Sequence, residues 1–303
     1  MTDKNKISNK TLYSNTIYSS IEDVEMIALS WLEELIKYSV QSAFIKNERA
    51  VNLLVIAPPE TAKTELLQKF KEITSCVYIT SFTRYGMLRD YQTKLQTRET
   101  RTLLVPDLIQ LITSTNPNEL GAAMTFLSSL IEEGVQNLST FNLQIKLDKP
   151  LRANMIACIP KDVILDGRSM KKWLKTGLFS RMIPVSYCYD KAVIAEILEY
   201  INNREHVNEK NSSIKIPKED IEVALNPILA RKFNPIVLSI SQKVGTYGFR
   251  LLRQLQTLAM AKAVYEGRDK VIEDDIRRII ELAAWINLDF NPIKQTQTKD
   301  ELK

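Results

Sequence analysis

Cysteine and histidine are scarce in this chain, which has three cysteines and one histidine among its 303 residues. They stand far apart, at Cys76, Cys158, Cys188 and His206, and share no spacing typical of a metal centre. We therefore expect no zinc site. Eight glycines and eleven prolines are also too few for a low-complexity chain.

Long apolar runs are missing as well. No run approaches the roughly 18 residues that a membrane-spanning helix needs, and the first residues, MTDKNKISNK, contain no apolar signal core. We therefore expect a soluble cytoplasmic protein that has no membrane partner. The charge is nearly balanced, with 41 basic and 36 acidic residues and a net charge of +5, which permits a nucleic-acid partner without arguing for one.

The most informative stretch is residues 51–70, VNLLVIAPPETAKTELLQKF. An apolar run rich in β-branched residues ends abruptly at Ala57, and apolar residues at helical spacing follow Lys63. This order of strand, loop and helix is typical of a phosphate-binding loop, whose backbone N–H groups surround the phosphates. The predicted nucleotide-binding residues are Ala57, Pro58, Pro59, Glu60, Thr61, Ala62, Lys63 and Thr64.

Within this loop, Lys63 is predicted to reach the β- and γ-phosphates of ATP, and the Thr64 hydroxyl is predicted to bind Mg²⁺. The pattern G-x-x-x-x-G-K-[ST] is matched only in its last two positions, because Ala57 and Ala62 stand where glycines are expected. Glycine matters there because it permits a positive φ and a close approach of the backbone. The alternative is an ordinary strand, turn and helix with a surface lysine.

A second apolar run, residues 101–108, carries Asp107 about forty residues after Lys63. A strand that ends in an aspartate is typical of a Walker B strand, whose carboxylate holds Mg²⁺. An aspartate at the turn after a strand is also common without any such role. At the next position, Leu108 replaces the glutamate that usually polarises the attacking water. Glu132 or Glu133 could supply that carboxylate from elsewhere.

Five short apolar segments, separated by helical patterns, predict an α/β fold with a parallel sheet. These segments are residues 51–56, 76–80, 102–106, 153–159 and 183–189. Residues 135–152 alternate as in a β-hairpin. The predicted organisation is a flexible arm over 1–20, an α/β nucleotide-binding domain over 21–205, a linker over 206–218, a smaller all-α lid domain over 219–290 and a polar tail over 291–303.

The order of these features resembles the AAA+ ATPases among the P-loop NTPases. It is nearest to the branch that contains the MoxR-type ATPases, the magnesium-chelatase subunits and the MCM helicases. In MoxR-type proteins the loop commonly reads G-P-P-G-T-A-K-[ST], so this chain departs from it at Ala57 and Glu60 only. The similarity spans residues 21–288, and it implies a five-stranded parallel sheet, a helical lid, ATP and Mg²⁺.

The resemblance also implies roles for two arginines. The segment LFSRM, residues 178–182, is similar to an L-S-R-F segment whose arginine reaches the nucleotide of a neighbouring subunit. The spacing from Arg250 to the segment GRDKV, residues 267–271, gives Arg250 the place of the sensor arginine that touches the γ-phosphate from the same chain, with Arg253 as the rival. The candidate catalytic residues are Asp107, Arg181 and Arg250, and the candidate metal ligands are Thr64 and Asp107.

Three departures from the family pattern, Glu60, Leu108 and Pro160, affect hydrolysis. Pro160 follows the predicted strand 153–159, at a place where a polar residue is expected to sense the γ-phosphate. The resemblance therefore implies an ATP-binding protein that assembles into a homo-oligomeric ring or filament and remodels a protein partner, with slow or weak ATP hydrolysis. One alternative is a DNA-associated loader or helicase-like factor, with Lys146, Lys149 and Arg152 of the hairpin facing the DNA strand. Another is a nucleotide-binding scaffold without turnover.

Overall fold

The computed structural model of the protein describes residues 28–80, 84–113, 117–140, 143–165, 177–202, 212–244, 247–287 and 292–293. The predicted arm over 1–20 lies outside these ranges, as do parts of the predicted linker and tail. Within the described ranges, no helix is long and apolar enough to cross a membrane.

Helices and strands alternate through the first half of the chain. They are α1 (Ser30–Ser42), β1 (Leu53–Ala57), α2 (Lys63–Gln68), β2 (Cys76–Tyr78), α3 (Arg84–Gln96), β3 (Thr102–Val105), α4 (Leu108–Thr113), α5 (Pro117–Leu130), β4 (Val135–Thr140), β5 (Leu143–Leu151), β6 (Asn154–Pro160) and α6 (Lys161–Leu165). The second half is mostly helical. It contains a 3₁₀ turn (Phe179–Arg181), β7 (Ile183–Ser186), β8 (Cys188–Tyr189), α7 (Lys191–Asn202), α8 (Pro227–Arg231), α9 (Asn234–Val244), α10 (Phe249–Tyr265), α11 (Glu273–Ala283) and β9 (Pro292–Ile293).

The central sheet has five parallel strands in the order β2-β3-β6-β1-β7. The predicted α/β class and the five predicted strands are thus confirmed. All residues of β1 are buried, as expected for a parallel strand that is covered on both faces. Leu53 and Val55 contribute to one core and Leu54 and Ile56 to the other, because successive side chains of a strand point to opposite faces.

The predicted hairpin is also confirmed, since β4 and β5 pair in antiparallel fashion with a register shift between Val135 and Asn137. Gly134 precedes it with a φ of +88°. A Cβ atom at this position would lie 2.7 Å from the Pro150 Cβ and 3.0 Å from the Leu151 carbonyl oxygen. Gly134 therefore lets the two strands approach each other at the base of the hairpin.

Among the helices after residue 226, α10 packs directly against α1. Leu255 and Leu258 of α10 belong to the same core cluster as Leu32 of α1 and the inner face of β1. At the edge of this interface, Trp31 and Trp285 stack with ring centroids 4.2 Å apart and planes 11° apart. The helices predicted to form a lid therefore share one hydrophobic core with the α/β unit.

The end of the sheet differs from the prediction. The strand expected over residues 183–189 is divided, because β7 ends at Ser186 and β8 begins at Cys188. The short strand β8 pairs in parallel with Pro292–Ile293, which the sequence placed in a polar tail. The described part of the predicted linker is docked rather than loose, since the Ser212 N–H donates to the Lys69 carbonyl oxygen at 2.7 Å.

Candidate functional site

The predicted phosphate loop, residues 57–64, leaves the carboxyl end of β1. The chain places β2, β3 and β6 on one side of β1 and β7 on the other. In open α/β sheets, ligands bind in the crevice outside the carboxyl ends of strands where the connections change sides. The loop therefore occupies the position in this sheet that is best suited to a ligand.

The backbone of this loop adopts conformations that are typical of glycine. Glu60 and Ala62 both have a φ of +58°, in the left-handed region. For an L-residue this conformation costs about 1–2 kcal/mol. The loop thus reaches a glycine-type conformation with non-glycine residues at two positions, and the surrounding contacts must hold it there.

Two tyrosines hold the loop from β7 and β8. The hydroxyl of Tyr187 donates to the Thr61 carbonyl oxygen at 2.7 Å, and that of Tyr189 donates to the same oxygen at 3.1 Å. Burial raises the pKa of Tyr187, and it raises the pKa of Tyr189 to about 12. Both hydroxyls are therefore protonated donors at neutral pH. In the sequence this pair is signalled only by two tyrosines at alternate positions, so it is not among the predicted site residues.

The Lys63 ammonium group lies inside the loop. Its Nζ donates to the Ala57 carbonyl oxygen at 3.0 Å, to the Thr61 hydroxyl at 3.1 Å and to the Pro58 carbonyl oxygen. Burial lowers the pKa of Lys63, although neighbouring acidic groups that include Asp107 oppose this change. A phosphate group that enters the loop would replace neutral oxygens as hydrogen-bond partners of Nζ, and it would place a negative charge in direct contact with the ammonium.

Asp107 follows β3 and interacts electrostatically with Lys63. One of its carboxylate oxygens accepts hydrogen bonds from the Ile109 N–H at 2.9 Å and from the Gln110 N–H at 3.0 Å. Asp107 therefore caps the start of α4, which is the structural role that the sequence left open. The second carboxylate oxygen is not used in this cap, so the capping role and the predicted metal-binding role are compatible.

Thr64 and Asp107 are the two predicted ligands of Mg²⁺, and this role stays a prediction. Thr64 is exposed in the first turn of α2. Within the described residues, no three or more His, Cys, Asp or Glu side chains are grouped as a self-contained metal site would require. Mg²⁺ in nucleotide sites typically takes one or two protein ligands and completes its shell with phosphate oxygens and water.

The three departures from the family pattern take different positions around the loop. Glu60 is exposed, and Pro160 lies opposite Ala57 at the end of β6. Leu108 is fully buried, with 0% exposure, in the core beneath α4. Position 108 therefore points into the core of the protein and does not face a water molecule at the loop.

Glu132 and Glu133 are the alternative sources of a catalytic base. They lie at the amino edge of the sheet, the end at which the parallel strands begin, opposite the loop. Asn52 precedes β1, and its side-chain amide donates to the Ile131 carbonyl oxygen at 3.3 Å. The five residues of β1 then span about 16 Å before the loop begins. Neither glutamate is placed to act on a nucleotide held by the loop of the same chain.

Three arginines converge on Glu132 at this amino edge. One carboxylate oxygen accepts from Arg49 at 2.9 Å and from Arg250 at 2.8 Å, and the other forms an ion pair with the Arg181 Nε. Glu132 is buried, with 9% exposure. The structure therefore brings Arg181 and Arg250 together, but away from the phosphate loop.

The position of Arg250 does not agree with the role expected from its spacing in the sequence. A sensor arginine acting within its own chain must reach the phosphates, yet the Arg250 guanidinium binds Glu132 and the Ser180 carbonyl oxygen at 2.7 Å. Its rival Arg253 lines a cavity at the same edge. Arg181 likewise is held by the Gly177 carbonyl oxygen at 2.7 Å, so its predicted action on a neighbouring subunit stays a prediction.

No protein-family model matches the chain, and no curated protein matches its sequence significantly. The fold itself defines the class, an α/β protein built on a five-stranded parallel sheet with helices on both faces.

Proposed function

We propose that this chain is an ATP-binding protein of the AAA+ type that uses Mg²⁺. In this proposal it assembles into homo-oligomers, remodels a protein partner and hydrolyses ATP slowly or not at all. The observation that carries the proposal is the loop at residues 57–64, which holds the Lys63 ammonium inside a glycine-type turn at the carboxyl end of β1.

Several contacts favour a phosphate ligand for this loop. A lysine buried among neutral oxygens gains a charged partner when a phosphate arrives, and charge-assisted hydrogen bonds are about twice as strong as neutral ones. Asp107 lies close enough to interact electrostatically with Lys63, so Asp107 and Thr64 would hold the magnesium ion of a bound nucleotide, which would neutralise part of the phosphate charge. Glu60 and Ala62 are left-handed. A simple connection between a strand and a helix does not require this conformation, which is costly and is common at ligand-binding sites.

Weak hydrolysis is favoured because none of the three candidate positions for a general base, 108, 132 and 133, faces the loop. A general base typically contributes about 10²–10⁴-fold to the rate. Leu108 is buried, and Glu132 lies at the far edge of the sheet. With neither residue placed to accept a proton from water at the loop, nucleotide binding is favoured over turnover.

Assembly is favoured by the position of Arg181 and Arg250. Both bind Glu132 at the amino edge, whereas the loop of their own chain leaves the opposite, carboxyl end of β1. An arginine that stabilises transferred phosphate from a neighbouring molecule is a recurrent device in phosphoryl transfer. In a ring or filament, the amino edge of one copy would meet the loop of the next.

The test is a titration of ATP and Mg²⁺ into the parent chain and into Lys63→Ala, followed by calorimetry. We expect the parent to bind and the variant to lose binding, because the loop then has no cation for the β- and γ-phosphates. Lys71→Ala is the matched control, since Lys71 is an exposed lysine just beyond α2. Equal affinities for the parent and Lys63→Ala would refute the proposed site.

A further inference from the structure

A cavity of about 390 Å³ opens beside Glu132 at the amino edge of the sheet. The charged residues of its lining are four arginines and two glutamates: Arg49, Arg181, Arg250, Arg253, Glu48 and Glu132. Guanidinium groups are permanently charged. The lining therefore carries an excess of two positive charges even with both carboxyl groups ionised.

Glu132 is shared among more cations than it can neutralise. Its two oxygens contact Arg49, Arg181 and Arg250, and two of these contacts measure 2.9 Å and 2.8 Å. A guanidinium group is satisfied by a carboxylate or a phosphate of its own, in a forked arrangement of two hydrogen bonds. The geometry thus resembles a phosphate site in which one carboxylate takes the place of the anion.

We propose that this cavity is a second anion site, and that Glu132 is an internal counter-anion which a phosphate group displaces. The ligand class is a phosphate-bearing anion with two or more negative charges, and Arg49 is one of its ligands. Arg49 is well suited to this role because its side chain is 61% exposed and reaches the cavity from the loop before β1.

Displacement of Glu132 would have consequences beyond the cavity, because the four residues come from four parts of the fold. Arg49 precedes β1, Arg181 precedes β7, Arg250 lies in the first turn of α10, and Glu132 lies in the turn before the β4–β5 hairpin. While Glu132 holds the arginines, it ties the hairpin and the helical region to the sheet. An anion that takes the arginines releases the hairpin from this tie.

The decisive experiment isolates the cavity from the phosphate loop. Inorganic pyrophosphate is titrated without Mg²⁺ into three chains: Lys63→Ala, Lys63→Ala with Glu132→Gln, and Lys63→Ala with Glu133→Gln. Glu133 is the matched control because it is the neighbouring residue, is exposed and carries the same charge. We expect the Glu132→Gln chain to bind at least about tenfold more tightly than the other two, since the competing carboxylate is gone.

Equal affinities for the Glu132→Gln and Glu133→Gln chains would overturn the proposal, as would no detectable binding in all three. Glutamine has the same shape and keeps one acceptor, and thermal unfolding checks that the variant is folded. A second variant does not depend on Glu132: Arg49→Ala in the Lys63→Ala chain should weaken pyrophosphate binding by about fivefold. Unchanged binding in Arg49→Ala would remove Arg49 from the site and contradict the proposal.

The phosphate has two candidate sources, a free phosphorylated compound or the nucleotide of a neighbouring copy. The second source rests on the proposed function. Analytical ultracentrifugation of Glu132→Gln, with Lys63 intact, distinguishes the two sources. If the phosphate belongs to a neighbour's nucleotide, the variant assembles at a lower ATP concentration than the parent. If it belongs to a free compound, both chains assemble at the same ATP concentration. If ATP does not bind at Lys63, the proposed function fails, while the pyrophosphate result still decides the anion site.

Discussion

Because Glu60 has a left-handed conformation, we expect glycine at this position to stabilise the protein. Replacing this residue by glycine removes the steric cost of a positive φ, about 1–2 kcal/mol, and increases the conformational entropy of the unfolded chain, which offsets about 0.5–1 kcal/mol. The Glu60 side chain is exposed, so little packing is lost. We expect Glu60→Gly to raise the free energy of unfolding by about 1 kcal/mol.

Glu60→Gln separates strain from charge. Glutamine keeps the unfavourable φ and removes the negative charge, so its stability should equal that of the parent. Removing a negative charge from the loop lowers its electrostatic repulsion of the phosphates. Both variants should therefore bind ATP several-fold more tightly, whereas glycine alone should be more stable.

Urea denaturation measures the stabilities, and calorimetry with ATP and Mg²⁺ measures the affinities. Asn47→Gly is a control outside the loop, because Asn47 also has a positive φ, +65°, but asparagine tolerates this region better than glutamate. Its gain in stability should be smaller than that of Glu60→Gly. If Glu60→Gly were no more stable than Glu60→Gln, the loop would not be strained at this position.

Three other predictions concern the surroundings of the loop. Tyr187→Phe removes a hydroxyl from the Thr61 carbonyl oxygen and should lower the free energy of unfolding in urea by about 1 kcal/mol. Leu108→Glu places a carboxylate in the core and should destabilise by several kcal/mol, about 3 or more, without raising ATP turnover; a faster, stable variant would contradict this. Burial alone would raise the pKa of Glu33, but hydrogen bonds from two lysines lower it. The ionised Glu33 therefore contributes to the free energy of unfolding above about pH 4, and this contribution is lost as the pH falls further. Glu33→Gln should flatten the acid side of the curve of stability against pH, measured by circular dichroism. Glu72→Gln, at an exposed position, should leave that curve unchanged.

The sheet could be predicted from sequence because its signals are local. Residues 53–57 form a continuous apolar run because β1 is buried on both faces, and the turn that follows is marked by Pro58 and Pro59. The same holds for Asp107, which directly follows a buried strand. Local patterns of this kind also located the hairpin at residues 135–152.

Contacts between distant residues could not be predicted in this way. The bond from Tyr187 to Thr61 joins residues that are 126 positions apart, and no local pattern signals it. Sequence spacing singled out Arg250 but not the edge of the sheet at which it lies, because that depends on how α10 packs against α1. The partners of Glu132 come from three separate elements, and only the folded chain brings them together.

The stacked pair of Trp31 and Trp285 gives the protein an optical signal of its own. Two indole rings in face-to-face contact couple their electronic transitions, so the circular dichroism of the chain should contain a paired band that disappears when the rings separate. Trp31 belongs to α1 and Trp285 follows α11. Tyr187 packs edge-on against Trp31, with ring centroids 6.0 Å apart. Spectra recorded during a nucleotide titration would therefore report, without any added label, whether an event at the loop moves the helical region against the sheet.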